Sequence, residues 1–381
     1  MRDIIIASEY VECDQNSTGY YWSRIISGLK AVGLNVIVLH PHSSNKYDSF
    51  HGNSGLFNRL FKQFQISFFL ALQISHVARN KCILFTGTNP AILLFLMPIL
   101  KKIFGFKWVL LVHDIFPDNL IAARILKKNN LLFKLLFWYF AFVYSSPDRL
   151  ICIGRDMQYL LHQRIKSSTK SVFIPNWANA KDTFPLERKD LAFFKDNDWE
   201  KHVVFQFFGN IGRVQGINNL LEALSLVTAK NAAFVFIGGG AMAPTVENYI
   251  KNNTGKNIKF FGPMPLNQKN EGLGLCDVAI VSLDVGMYGL GVPSKCYFSL
   301  AAGKPLLAIV EAQSEIGLML NEYPVGWRCD PGCPKSLALQ IDRICASPHE
   351  INLKTPEEVF RAHYSEDVAL KKISDELKNF V

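Results

Sequence analysis

Charge is scarce in this sequence. Asp, Glu, Lys and Arg make up 19% of its 381 residues, yet the balance stands at +9. The positive excess is therefore concentrated rather than spread, and nucleic acid, an anionic membrane or phosphorylated substrates could answer it. No basic stretch is interleaved with stacking aromatics in the pattern of a nucleic-acid module, so nucleic acid ranks last and is not an expected partner. The eight cysteines are scattered; Cys329 and Cys333 lie four apart, but no second pair completes a zinc site. Reduced, mostly buried thiols of a cytosolic protein are expected. Met1 to Ile6 runs directly into a strand with no signal-peptide apolar region. The apolar run Leu131–Tyr144 is too short to cross a membrane and contains Lys134. No acidic triplet stands near a strand end to hold a metal, so neither metal nor cofactor is expected.

What is present is a rhythm. Apolar runs of strand length alternate with helical patterns from Ile4–Ala7 through Val36–Leu39, Cys82–Phe85, Trp108–Val112, Leu150–Ile153 and Val172–Ile174. Residues 178–201 lose it: they are rich in Lys, Asp and Glu and read as a linker. It restarts with strands at Val203–Phe208, Ala233–Ile237, Ile258–Phe261, Val278–Ser282, Leu306–Ile309 and Gly326–Arg328. Such alternation predicts parallel sheets covered on both faces. The fold class is α/β, two tandem Rossmann-like doubly wound parallel-sheet domains, with a ligand cleft facing the strand C-termini. The first domain is expected over 1–180 and the second over 181–361. The amphipathic C-terminal helix, 362–381, is expected to cross back to the first.

The second half places glycine-bearing turns after four strands. Val203–Phe208 leads into Gly209-Asn210-Ile211-Gly212-Arg213-Val214-Gln215-Gly216 and then a helix. Its spacing is neither G-x-G-x-x-G nor a Walker loop. Taken alone it reads either as an anion site, with helix N–H groups pointing at a ligand, or as a plain strand-to-helix turn. Gly238-Gly239-Gly240, Phe261-Gly262-Pro263-Met264-Pro265 and Gly286 through Gly291-Val292-Pro293-Ser294-Lys295 follow three other strands. In the last, Pro293 is expected at the first helical position and Ser294 and Lys295 in the first turn. Four such turns at one sheet edge favour a nucleotide site, and a lysine beside backbone N–H groups suits a diphosphate.

These residues resemble a known family. The tandem units, His113-Asp114-x-x-Pro117, Gly209 to Gly216, Gly238-Gly239-Gly240, Pro293-Ser294-Lys295 and Ala302-Gly303-Lys304-Pro305 together resemble the retaining glycosyltransferases of GT-B fold. The sequence looks most like glycosyltransferase family 4, in its branch of bacterial surface-polysaccharide enzymes (O-antigen, lipopolysaccharide, capsule). The resemblance covers nearly the whole chain and is strongest over 203–310.

It implies a hexosyl- or N-acetylhexosaminyl-transferase acting from a nucleotide sugar, UDP-linked, onto a lipid-linked saccharide. The implied location is cytoplasmic, peripheral on the inner face of the plasma membrane. The diphosphate would lie near Gly209, Asn210, Gly212, Gln215 and Gly216 and near the helix start at Pro293, Ser294 and Lys295. Gly239 would also bind the donor, and backbone groups of Gly289 to Val292, Gly291 and Val292 among them, would contact a sugar hydroxyl. The base would lie against Phe261, Pro263 and Met264. His113 would face the donor sugar, and a loop carrying Asn16, Ser17, Thr18 and Gly19, with Asp114 and Asp118, would serve the acceptor side. Two departures stand out. Asn210 and Gln215 occupy positions where many relatives carry Arg and Lys, so Arg213 and Lys295 are the candidate catalytic cations. Leu290 and Phe298 occupy positions of two family glutamates that contact donor sugar and ribose. A same-fold epimerase or hydrolase, or a catalytically silent membrane-recruiting partner, is the alternative. Oligomeric state is not legible.

Two first-domain helices mix large apolar and basic residues: Phe57, Leu60, Phe61 and Phe64 with Arg59 and Lys62, and Phe133, Leu136, Phe137 and Trp138 with Lys127, Lys128 and Lys134. They read either as core helices or as helices lying in the interface of an anionic membrane.

Overall fold

The computed structural model describes residues 3–12, 16–41, 56–79, 82–122, 124–165, 170–186, 199–351 and 354–380. The chain divides into two compact units. The first comprises Met1–Pro175, Gly289–Gly291 and Ala369–Val381; the second comprises Asn176–Tyr288 and Val292–Val368.

The first unit is a six-stranded, all-parallel sheet. Its strands are β1 (Asp3–Ala7), β2 (Val36–Leu39), β3 (Cys82–Gly87), β4 (Lys107–Val112), β5 (Arg149–Cys152) and β6 (Ser171–Phe173), ordered β2-β1-β3-β4-β5-β6. Every residue of β3 is buried, as strands covered on both faces require. Trp108 of β4 is fully buried, and its indole N–H donates to Thr86 Oγ1 at 2.9 Å. The helices are α1 (Ser17–Ala31), α2 (Leu56–Val77), α3 (Leu93–Phe104), α4 (Asp118–Ala122), α5 (Leu131–Ser145) and α6 (Arg155–Ile165). The connections from β2 onward step in one direction across the sheet. Right-handed crossovers therefore set α2, α3, α5 and α6 on one face and α1 on the other.

The second unit repeats the plan with β7 (Val203–Phe208), β8 (Ala232–Ile237), β9 (Ile258–Phe260), β10 (Val278–Ser282), β11 (Leu306–Ile309) and β12 (Gly326–Cys329), all parallel and ordered β12-β11-β10-β7-β8-β9. Its helices are α7 (Ile217–Leu226), α8 (Ala243–Asn252), α9 (Lys269–Gly274), α10 (Lys295–Ala301), α11 (Glu315–Glu322), α12 (Pro334–Ala346) and α13 (Lys354–Val359). Phe205 and Phe207 on one face of β7 stack on Phe234 and Phe236 of β8, with centroids 5.5 and 6.2 Å apart. The strand order reverses between β7 and β10, so the turns after these two strands flank a topological switch point.

The last helix, α14 (Glu366–Lys378), serves the first unit from Ala369 onward. A Cβ on Gly28 of α1 would lie 2.6 Å from Leu370 Cδ1, so glycine there lets α14 press onto α1. Glu376 pairs with Arg149 at 2.9 Å. Among the described residues, no helix is long and apolar enough to cross a membrane. The described cysteines are unbridged, and Cys333 is the exposed one.

Candidate active site

In the second unit three of the four glycine turns are laced together at the strand C-termini, and the first of them is tied to the end of β10. Gly209 N–H donates to Ile237 O (2.8 Å), Ile211 N–H to Gly239 O (2.8 Å) and Gly238 N–H to Gly262 O (2.7 Å). On the other side of the switch point, Ser282 Oγ donates to Gln215 O at 2.7 Å and Asp284 N–H to Val214 O at 2.9 Å. The lacing needs glycine at 238, where φ is 138° and a Cβ would stand 1.8 Å from Gly209 O. Gly216 is the N-cap of α7 in the left-handed region and supplies no side-chain cap. The first-turn N–H groups of α7 therefore have no intrahelical acceptor and no capping oxygen, the state of a helix end suited to an anion. Gln215 Oε1 is buried without a partner.

Lys295 is the unusual group. It opens α10, and its Nζ sits 3.5 Å from the centroid of the Phe207 ring, fully buried, with no hydrogen-bond partner. The Cβ position of Gly209 is 4.0 Å from Lys295 Cε, so the amine lies under the glycine turn. Burial pushes its pKa down to about 7. A buried ammonium without an anion is costly; the ring face offsets part of that. Arg213, by contrast, stands exposed on the β7–α7 turn, as does Asn210. The two candidate cations therefore differ: one is enclosed and fixed, the other is at the surface.

One expectation is corrected here, the start of the helix after the 286–291 stretch. α10 begins at Lys295 with Ser294 as its N-cap, so Pro293 precedes the helix rather than opening it. Gly291 groups with the first unit, as do Gly289 and Leu290, and Gly289 N–H donates to Asp156 at 3.0 Å. Val292 stays with the second unit. Phe298 carries Lys269 Nζ over its ring at 4.8 Å. Phe261 and Pro263 are exposed, while Met264 is half-buried, and a Cβ on Gly272 would meet its sulfur at 2.5 Å.

In the first unit, Ser17, Thr18 and Gly19 do not belong to a loop. They form the first turn of α1, capped by Asn16, whose side chain accepts from Gly19 N–H at 2.9 Å. Short polar residues favour a cap as much as a loop, which is why the two could not be told apart. His113 and Asp114 follow β4, and both backbone N–H groups donate to Thr88 Oγ1 at 3.3 Å. His113 Nε2 is buried without a partner. Burial pushes its pKa down to about 4, so the imidazole is neutral near pH 7. The Tyr21 ring lies 6.4 Å from the imidazole, and Trp22 and Gly87 lie near it too; none of the three was singled out from sequence. A Cβ on Gly87 would lie 3.5 Å from Trp22 Nε1 and 3.7 Å from His113 Nδ1. Burial also raises the Asp114 pKa, while Asn119 donates to its carboxylate at 2.9 Å. Asp118 is tied to Arg164 in an ion pair, so its carboxylate is already engaged.

No group of three or more His, Cys, Asp or Glu among the described residues is arranged to hold a metal. One Asp-x-Asp does occur, Asp196-Asn197-Asp198, but it precedes β7 in sequence and lies outside the described residues.

The helix stripes also differ from expectation. Phe61, Phe64, Phe137 and Trp138 are exposed, but Phe133 is buried and Leu136 half-buried. The side chains of Phe57, Arg59 and Leu60 lie outside the described residues.

Residues 189–359 match the family described as Glycosyl transferases group 1. The chain is 43% identical to a Pseudomonas aeruginosa protein named as a glycosyltransferase, WbjE, over 98% of this chain and 97% of that one. It is 22% identical to an Escherichia coli K12 protein named as a colanic acid biosynthesis glycosyl transferase, WcaI, over 60% of this chain and 57% of the other. The crystal structure of Anabaena HepE in complex with UDP superposes over 100% of both chains with a TM-score of 0.73 at 13% identity, which shows a common GT-B fold.

Proposed function

The chain belongs to the group 1 glycosyl transferases, and we propose that it moves a sugar, with retention of anomeric configuration, from a UDP-linked donor to a lipid-linked saccharide in surface polysaccharide synthesis. The observation that carries this reading is the enclosed, unpartnered amine of Lys295 under the Gly209 turn, the turn that leads on to the uncapped N-terminus of α7. A donor diphosphate supplies the anion that the amine lacks. UDP is supported by HepE, solved with that nucleotide, and the polysaccharide context by the naming of WcaI.

The chemistry follows from where charge develops. As the bond between the anomeric carbon and the β-phosphate oxygen breaks, negative charge grows on the phosphate. Lys295, Arg213 and the first-turn N–H groups of α7 stabilise it there. The acceptor oxygen bonds to the anomeric carbon on the same face, and its proton passes to the departing phosphate oxygen. His113 is the first unit's candidate for a sugar hydroxyl; neutral near pH 7, it offers a hydrogen bond rather than a positive charge. In this scheme the protein's own cations take the role that a metal fills elsewhere, and the enzyme works on the cytoplasmic face of the membrane, peripherally, where a lipid-linked acceptor lies.

The test is mass spectrometry of the purified protein incubated with a panel of nucleotide sugars and lipid-diphosphate saccharide acceptors. Sugar addition to an acceptor from a UDP donor is expected. Donor consumption of equal rate with and without any acceptor would overturn the reading in favour of a hydrolase or epimerase.

A further inference from the structure

The first unit holds its positive charge in one stretch. Residues 49–147 contain eleven Lys and Arg against two acids, Asp114 and Asp118, an excess as large as that of the whole chain. Within it, α2, α3 and α5 carry no Asp or Glu at all. These helices lie side by side, α2 against α3 and α3 against α5. Tyr139 of α5 donates to the Phe95 carbonyl of α3 at 2.6 Å and stacks on the Phe95 ring, with centroids 5.2 Å apart.

Each helix is apolar on two faces. The inward stripe is core: Ile66, Leu70 and Ile74 on α2, Leu93 and Met97 on α3, Phe133, Phe140 and Val143 on α5. The outward stripe is equally apolar and is exposed. It runs Phe61, Phe64, Phe68 and Leu72 on α2, Ile99 and Ile103 on α3, and Leu131, Leu135, Trp138 and Phe142 on α5. Spacings of three and four align each set along one helix face. Trp138 is 75% exposed, and Phe64 and Phe68 stack on each other in solvent with centroids 6.3 Å apart. Exposed Lys102, Lys127, Lys128 and Lys134 lie on or beside these stripes. A contiguous apolar surface of this kind on a folded protein marks a binding face.

Charge decides what covers it. A twofold contact with a second copy sets the same patch against itself, and here that would bring two acid-free, lysine-bearing faces together. An anionic bilayer fits both features: rings and leucines enter the boundary between headgroups and acyl chains, while each lysine near the surface gains about 1 kcal/mol. We propose that α2, α3 and α5 form one platform that docks flat on an anionic lipid bilayer, with Leu131, Leu135, Trp138 and Phe142 as its inserted ridge. The platform deepens the reading of the acceptor as lipid-linked, and it is measurable apart from any turnover.

Trp138 is a built-in reporter: of the six tryptophans, Trp22, Trp108, Trp177 and Trp199 are buried and Trp327 is partly buried against the core of the second unit, which leaves Trp138 as the exposed one. The full chain is mixed with phosphatidylcholine vesicles, with or without phosphatidylglycerol, and followed by sedimentation and by tryptophan fluorescence with brominated acyl chains. Binding to the phosphatidylglycerol vesicles, weakening with salt, is expected, with quenching that disappears in Trp138→Phe. The double variant Leu135→Glu, Trp138→Glu should bind at least about tenfold more weakly with an unchanged melting temperature, since both side chains are exposed. Wild-type protein that ignores anionic vesicles at low salt, or a double variant that binds as tightly as wild type, overturns the platform. So does a concentration-dependent dimer in sedimentation velocity that the double variant abolishes. Vesicle binding together with transfer to water-soluble saccharides alone would leave the platform standing and remove the lipid-linked acceptor instead.

Discussion

Lys295 concentrates the physical tension of this protein in one side chain. Its amine is enclosed over Phe207 with no partner, and its pKa falls from 10.5 to about 7. An unpaired buried polar group costs about 1–3 kcal/mol by mutational measures. Lys295→Met should therefore raise the stability of the empty protein at pH 7 by about that amount, while UDP binding, read by calorimetry, collapses. The sign with pH is fixed by linkage. Between about 7 and 10.5 the unfolded chain holds a proton that the folded chain has shed. Wild-type stability from this group therefore rises with pH across that window, and the advantage of Lys295→Met shrinks. A Met variant that melts lower than wild type at pH 7 while keeping UDP affinity would refute the account. The same titration predicts weaker UDP binding above about pH 7, by up to about tenfold per pH unit, because the diphosphate requires the ammonium form. A UDP dissociation constant that is flat from pH 6 to 9 would remove Lys295 from the phosphate site. For turnover, Lys295→Ala and Arg213→Ala should each lose at least about a hundredfold, as for deletion of one oxyanion-type donor; unchanged turnover in both would sink the pair.

At the scale of elements, the donor side of the second unit is a set of turns held in register by backbone hydrogen bonds rather than by side chains. Gly238 is the tightest point, with its Cβ position 1.8 Å from Gly209 O. Gly238→Ala should cost about 3 kcal/mol or more of stability and displace the Gly209 turn that roofs Lys295. Circular dichroism melts and UDP calorimetry would read both effects. An alanine variant with wild-type melting and affinity would mean that these turns shift freely. Gly255, which has open space where a Cβ would stand, is the control and should tolerate alanine.

For the whole molecule, sugar transfer should not depend on a divalent ion, since the scheme places Lys295 and Arg213 where the leaving charge develops. Turnover should survive EDTA. Complete loss, restored by magnesium or manganese, would overturn this and turn attention to acids such as Asp196 and Asp198. The +9 charge is likewise a property of the molecule with one address, the stretch from 49 to 147.

Two parallel-sheet units were legible from the alternation of buried runs and helical patterns, because strands buried on both faces must be continuously apolar. The position of Lys295 after a glycine-rich stretch was legible too, since chain-local signals mark strand ends and turns. What the local pattern could not contain was distance. That Phe207 lies beneath the Lys295 amine depends on β10 pairing with β7 across the switch point, a contact between residues far apart in sequence. That Asp118 is bound up with Arg164, and that Asn16 caps a helix rather than leading a loop, depends on partners that periodicity does not name. The apolar helices show the limit most plainly. Periodicity in Leu131–Ser145 fixes which residues share a face, but the helix is apolar all round. Only packing against α3 and α6 decides that Phe133 and Phe140 turn inward while Leu131, Leu135 and Trp138 face out, because a helix without a polar face carries no sequence signal of its own orientation.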